Sequence, residues 1–150
     1  MRRLAVFATL FLACCASSNN AKSPVPQPDV RIVQLNGVPL AARHVSGAVS
    51  VQYGVRVRNN ALQPITLKQI TALSLGEGAY TLPSTSRPFN VTIAPGQLGD
   101  VLFFAPATAN DTIAGANGPV TLRLTLQFDS AVGAFQSIVV QQVHEDALSQ

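Results

Sequence analysis

The sequence predicts a single all-β domain of antiparallel strands, and three observations carry the prediction. From Asp29 onward the apolar residues recur with a period of two, not 3.6. Clusters of Gly, Pro, Asn and Asp interrupt that pattern at short intervals, as they do in a sandwich or barrel of hairpins. A length of 150 residues, 47% hydrophobic, is enough for one domain with its own core. Only 11% of the chain is charged, against an average of about a quarter. The apolar residues are nevertheless spread along the chain and form no run of the roughly 20 that cross a bilayer, so membrane spanning and disorder are both disfavoured.

The chain opens with Met1-Arg2-Arg3, continues with the uncharged and mostly apolar stretch Leu4 to Ala13, and reaches Cys14-Cys15-Ala16-Ser17-Ser18. A positive start, a short apolar run and small residues after it are the three parts of a secretory signal. Both cysteines of the protein lie where the run ends. Phe11-Leu12-Ala13-Cys14 resembles the lipobox of bacterial lipoproteins, in which small residues precede a cysteine that is thioether-linked to diacylglycerol before cleavage. The resemblance implies a signal peptide over residues 1–13, lipid attachment at Cys14, and an exported protein anchored to a membrane of the bacterial cell envelope. Two alternatives stay open. Cys15 as the lipidated residue puts Leu12 at the favoured third position before it, and an ordinary signal cut after Ala16 yields a soluble secreted protein. In each case the mature domain has no disulfide and must be held by packing alone.

Residues 14–28 read as the lipidated cysteine and a flexible Ser/Asn/Pro tether, with Lys22 as the one cation and little to bury. The domain then occupies residues 29–150. Its expected strands are Asp29 to Leu35, Val49 to Arg58, Ile65 to Leu73, Ala79 to Leu82, Phe89 to Ile93, Val101 to Ala105, Pro119 to Asp129 and Ala134 to Val143. Two of them look central. In Val49 to Arg58 five apolar residues alternate with Ser50, Gln52, Gly54, Arg56 and Arg58, so one face is core and the other meets water. Val120, Leu122, Leu124, Leu126 and Phe128 repeat the alternation. Phe103, Phe104, Phe128 and Phe135 are all expected in the core. Asn59 to Pro64, Ala94-Pro95-Gly96-Gln97 and Ala114 to Pro119 supply the turn residues, and the only candidate helix, Glu145 to Leu148, is too short to stand alone.

Val55-Arg56-Val57-Arg58-Asn59, Pro64 to Leu67, Phe89 to Ile93 leading into Pro95-Gly96-Gln97, Val101 to Phe104 and Val120 to Phe128 together look like the strand order of immunoglobulin-like or fibronectin-like sandwiches in secreted bacterial proteins. There an Asn ends the second strand and a Pro-Gly turn joins the next pair. The resemblance implies one antiparallel immunoglobulin-like β-sandwich of about seven or eight strands. The Cys pair and core Trp of antibody domains are absent, so only the generic architecture is implied, and function is not.

Motifs that carry chemistry are scarce. His44 and His144 stand a hundred residues apart, Asp111 and Asp129 are isolated, and Ser46-Gly47 lacks the surroundings of a nucleophile elbow; no catalytic residue, metal site or cofactor is expected. Ten basic residues face seven acidic ones, and Arg2 and Arg3 fall in the removable segment, leaving eight. That near balance disfavours a nucleic-acid partner, and the lack of any Trp disfavours carbohydrate. The expectation is a non-catalytic binding or assembly module, lipid-anchored in the envelope, that presents a sandwich edge or face to a protein partner. The alternative is an accessory enzyme or small-ligand carrier with a site in the loops at one end. Arg56 and Arg58, two residues apart on one face of a strand, are the candidate partner patch, since the arginine fork suits carboxylate or phosphate; plain solubility of an exposed sheet is the competing account.

Overall fold

Period-two alternation gives a strand one apolar face, and two such sheets can bury those faces against each other. The computed structural model of the chain describes residues 25–36, 47–76, 78–110 and 119–143, and in it eight strands form: β1 (Asp29–Asn36), β2 (Gly47–Arg58), β3 (Ile65–Leu75), β4 (Tyr80–Thr81), β5 (Thr85–Ile93), β6 (Leu98–Ala109), β7 (Val120–Ser130) and β8 (Gly133–Val143). The first sheet has the order β1-β2-β6-β4 and the second β5-β3-β7-β8. Every pairing is antiparallel. Cys14, Cys15, His44, Ser46, Asp111, the expected turn up to Gly118 and the tail from His144 lie outside the described residues.

Each expected strand is present, most with bounds within two residues of those expected, and β5 and β6 are longer by four residues or more. β5 begins at Thr85 and β6 runs from Leu98 to Ala109, through Pro88 and Pro106. Proline is tolerated in a strand where no ladder donor is required. Pro88 sits beside a register irregularity opposite Leu67 and Gln69. Pro106 lies on a strand whose second side is paired only at Thr108 and Ala109.

The inward residues of both sheets merge into one core, including Val51, Tyr53, Val55 and Val57 of β2, Phe103 of β6, and Leu122, Leu124, Leu126 and Phe128 of β7. Phe128 stacks on the half-buried Phe135 at 5.1 Å between ring centroids. Phe104 corrects the sequence expectation. Adjacent residues of a strand point to opposite faces, so the alternation that buries Phe103 turns Phe104 outward, where it is 49% exposed.

A short chain of hydroxyls crosses this core. Tyr53 donates to the Tyr80 oxygen at 2.7 Å, and Tyr80 donates to Gln34 Oε1, also at 2.7 Å. All three are buried, so each polar atom needs a partner inside the protein. Burial is the main cause that pushes the Tyr80 phenol up to about 12. Burial, with Tyr80 alongside, drives Tyr53 higher still.

One end of the sandwich is fastened by Asn59, fully buried just beyond β2. Its Nδ2 donates to Gln63 O at 2.8 Å and Ile93 O at 2.9 Å, while its Oδ1 accepts from Ala61 N at 2.9 Å. Its backbone N–H donates to Gln97 O and its carbonyl accepts from Gly96 N. The β2–β3 loop is thereby tied to the β5–β6 turn. Gln97 N donates to Ala94 O, closing that turn, and Gly96 at φ 72 takes the left-handed position that follows Pro95.

Candidate functional site

A sheet edge exposes backbone donors and acceptors that can pair with another chain, and native proteins blunt such edges with proline, charge or a cover. Four edges arise from the two strand orders. β1 carries Asp29 and Arg31. β5 carries Arg87 and Pro88. β6, beyond the two-residue β4, carries Pro106; Arg87 Nε donates to Phe104 O at 3.3 Å on that side. Asn110 N donates to Ala79 O there as well, and backbone alternation places the missing N–H of Pro106 on the same open side.

β8 is different. Among the described residues it is the one edge strand longer than two residues with neither proline nor charge along its 11 positions, GAFQSIVVQQV. It pairs with β7 without a break from Ser130↔Gly133 to Val120↔Val143. A two-residue hairpin loop makes its flanking residues a hydrogen-bonded pair. The odd-numbered residues from Gly133 therefore bond to β7, while the N–H and C=O of Ala134, Gln136, Ile138, Val140 and Gln142 point away from the sheet. On its outer face Ile138 and Val140 are 49% and 58% exposed.

The neighbouring edge of the first sheet is closed by a side chain. Gln141, facing inward from β8, donates from Nε2 to Ile32 O at 2.9 Å and accepts from Ile32 N at 3.3 Å. A single amide thus takes both backbone groups of one β1 residue, as an added strand would.

The arginine pair expected as a partner patch divides. On the outer face of the first sheet Arg31, Arg56 and Asp100 lie in one cross-strand row, with Asp29, Arg58 and Leu98 in the next. Arg56 donates through Nε to Asp100 Oδ1 at 2.7 Å and through its terminal nitrogen to Oδ2 at 3.1 Å, which holds the Asp100 carboxyl below the usual carboxylate range. Both groups are exposed, so the pair contributes little to stability. Among the described residues Arg58 has no ion-pair partner, which leaves it the available member. Cys14 lies outside the described residues. No group of three or more His, Cys, Asp or Glu among the described residues could hold a metal.

A groove of about 560 Å³ opens at the Asn59 end, between residues 25–27, the loop 60–63 and Val132. Its rim is apolar: Leu62 is 95% exposed, Val25 59% and Val132 46%. Residues 25–27, expected as the last part of a tether, line this groove.

No family model matches the chain, and no curated protein matches it. Solved structures do. A Bordetella pertussis protein provisionally assigned as ApaA superposes with a TM-score of 0.56 at 15% identity, over 81% of this chain and 96% of that one. The structural-genomics target SoR45 gives 0.52 at 13% identity, over 82% and 89%. A protein provisionally classed as late embryogenesis abundant gives 0.50 at 22% identity, over 83% and 72%. Likeness at these identities concerns fold alone.

The unguarded edge of β8 escaped the sequence reading, although its signal was available: the final strand has no Lys, Arg, Asp, Glu or Pro. Gln34 and Gln141 carried a signal too, each a polar residue at an inward position of its strand.

Proposed function

We propose that this protein is a lipid-anchored binding module of the bacterial cell envelope, without a catalytic step, that takes an extended segment of a protein partner as an added strand along β8. The observation that carries the reading is the contrast between edges. The other edges of useful length hold proline, charge or both, and the Ile32 position of β1 is capped by Gln141. β8 holds no such device over 11 residues. Strand addition draws affinity from main-chain hydrogen bonds and specificity from alternate side chains; here Ile138 and Val140 offer the apolar contacts.

The strand order supports an immunoglobulin-like sandwich as the scaffold. With the two-residue β4 set aside, β1, β2 and β6 share one sheet while β3, β7 and β8 share the other with β5 at its edge. This is the partition of first, second and fifth strands against third, sixth and seventh. The lipobox resemblance of Phe11-Leu12-Ala13-Cys14 supports lipidation at Cys14 and with it envelope localisation, and labelling with a radioactive fatty acid that is lost in Cys14→Ala checks it.

The binding reading is tested by placing a photo-reactive side chain at Gln136, at Gln142 and, for comparison, at Asn90 on the proline-bearing β5 edge of the full chain in its cells. Crosslinks from both β8 positions to one protein, mapping to one extended segment of it, are expected. Products from Asn90 equal to those from β8, or none from β8, would overturn the reading.

A further inference from the structure

The sandwich has two unlike ends. At one, Leu62 at the tip of the β2–β3 loop, Val132 in the β7–β8 turn and Val25 before β1 form an exposed apolar rim around one groove. Isolated exposed apolar residues are ordinary on a protein surface. Three from separate segments converging on one groove, one of them 95% exposed, are not an isolated case. Arg58 ends β2 one residue before the loop that lines this groove, between Asp29 of β1 and the 56% exposed Leu98 of β6, and it has no ion-pair partner among the described residues.

We infer that this end of the domain rests on the lipid bilayer, with Leu62, Val132 and Val25 in the acyl-headgroup boundary and Arg58 at the lipid phosphates. The inference rests on the lipid-anchor reading. What commits it to lipid is the length of chain between anchor and groove: Val25 follows Cys14 by eleven residues, which reach roughly 40 Å at most. An acyl chain on Cys14 therefore tethers the domain at its Val25 end, the end that carries the groove. An apolar rim with a cation beside it is the composition that partitions into an anionic membrane interface. Arginine contributes a bidentate fork to phosphate. The strands then stand away from the membrane, and β8 leads outward from it.

The chain has no Trp, so a single Trp is a clean reporter. Leu62→Trp changes a side chain that packs on nothing. Leu75→Trp, at the far end of β3, gives a comparison site about 33 Å along the strand. The full lipidated chain of each variant is reconstituted into anionic vesicles and floated, and its fluorescence is compared in vesicles with and without brominated acyl chains. The inference predicts that Trp at position 62 shifts to shorter wavelength and is quenched several-fold more strongly than Trp at 75, and that Arg58→Gln weakens this in anionic vesicles. Flotation of both variants with equal, weak quenching would overturn the bilayer contact while leaving the anchor reading standing. Failure to float would overturn the anchor reading and the contact with it.

Discussion

The side-chain amide of Gln141 and the backbone of Ile32 are joined by two hydrogen bonds across the gap between the sheets, at 2.9 and 3.3 Å. They belong to strands 109 residues apart in sequence, and the amide of one occupies the place of a neighbouring strand for the other. Gln141→Leu keeps the bulk but removes both partners from a partly buried peptide group. A loss of about 1–3 kcal/mol is expected, the cost of leaving such groups unmade. Denaturant melts measure it, and hydrogen exchange should find the Ile32 amide opening faster than that of Val55.

Asn59→Ala should be among the most destabilising single changes outside the apolar core. It removes three hydrogen bonds and strands the buried carbonyl of Ile93, so roughly 2–4 kcal/mol is expected in thermal or denaturant unfolding. Asn59→Asp keeps the acceptor for Ala61 but faces two carbonyls with a carboxylate. That raises the folded-state pKa of the new group, so the stability of this variant should rise as pH falls, the protonated form again offering a donor.

Tyr53 and Tyr80 are the two tyrosines of the chain, so tyrosinate absorbance reports on them alone. The folded pKa of each lies above the ordinary 10.0, that of Tyr80 at about 12. A raised folded pKa means a contribution to stability that is intact below the unfolded value and lost as pH rises through the folded one. Tyrosinate should therefore appear together with alkaline unfolding rather than near pH 10. Tyr80→Phe should cost more than Tyr53→Phe, because Tyr80 stands between Tyr53 and Gln34 and its loss leaves both without a partner.

Much of the fold was legible because alternation is a strong local signal. Leu122, Leu124 and Leu126 could only be buried together on one face, and Asn59 and Pro95-Gly96 marked two turns, though not that hydrogen bonds join them. What was not legible depended on long-range placement. The expected strands began at Phe89 and ended at Ala105, short of Pro88 and Pro106, which the strand order places on open edges. Arg56 and Arg58 looked equivalent until β6 brought Asp100 opposite the first and Leu98 opposite the second. The lack of charge and proline in the final strand was legible, but that this strand has one free side follows from strand order.

The most direct test of the account is Ile138→Pro. The Ile138 N–H points away from β7, so proline there removes a donor from the open edge without breaking a ladder bond. Val139→Pro, one residue on, removes a donor to β7 and should unfold the domain or lower its stability by about 3 kcal/mol or more. The account predicts that Ile138→Pro keeps the wild-type circular dichroism spectrum and a melting temperature near that of the parent, while the crosslinked partner product formed from Gln136 disappears. A folded Ile138→Pro protein that still yields that product at the wild-type level would contradict strand addition along β8.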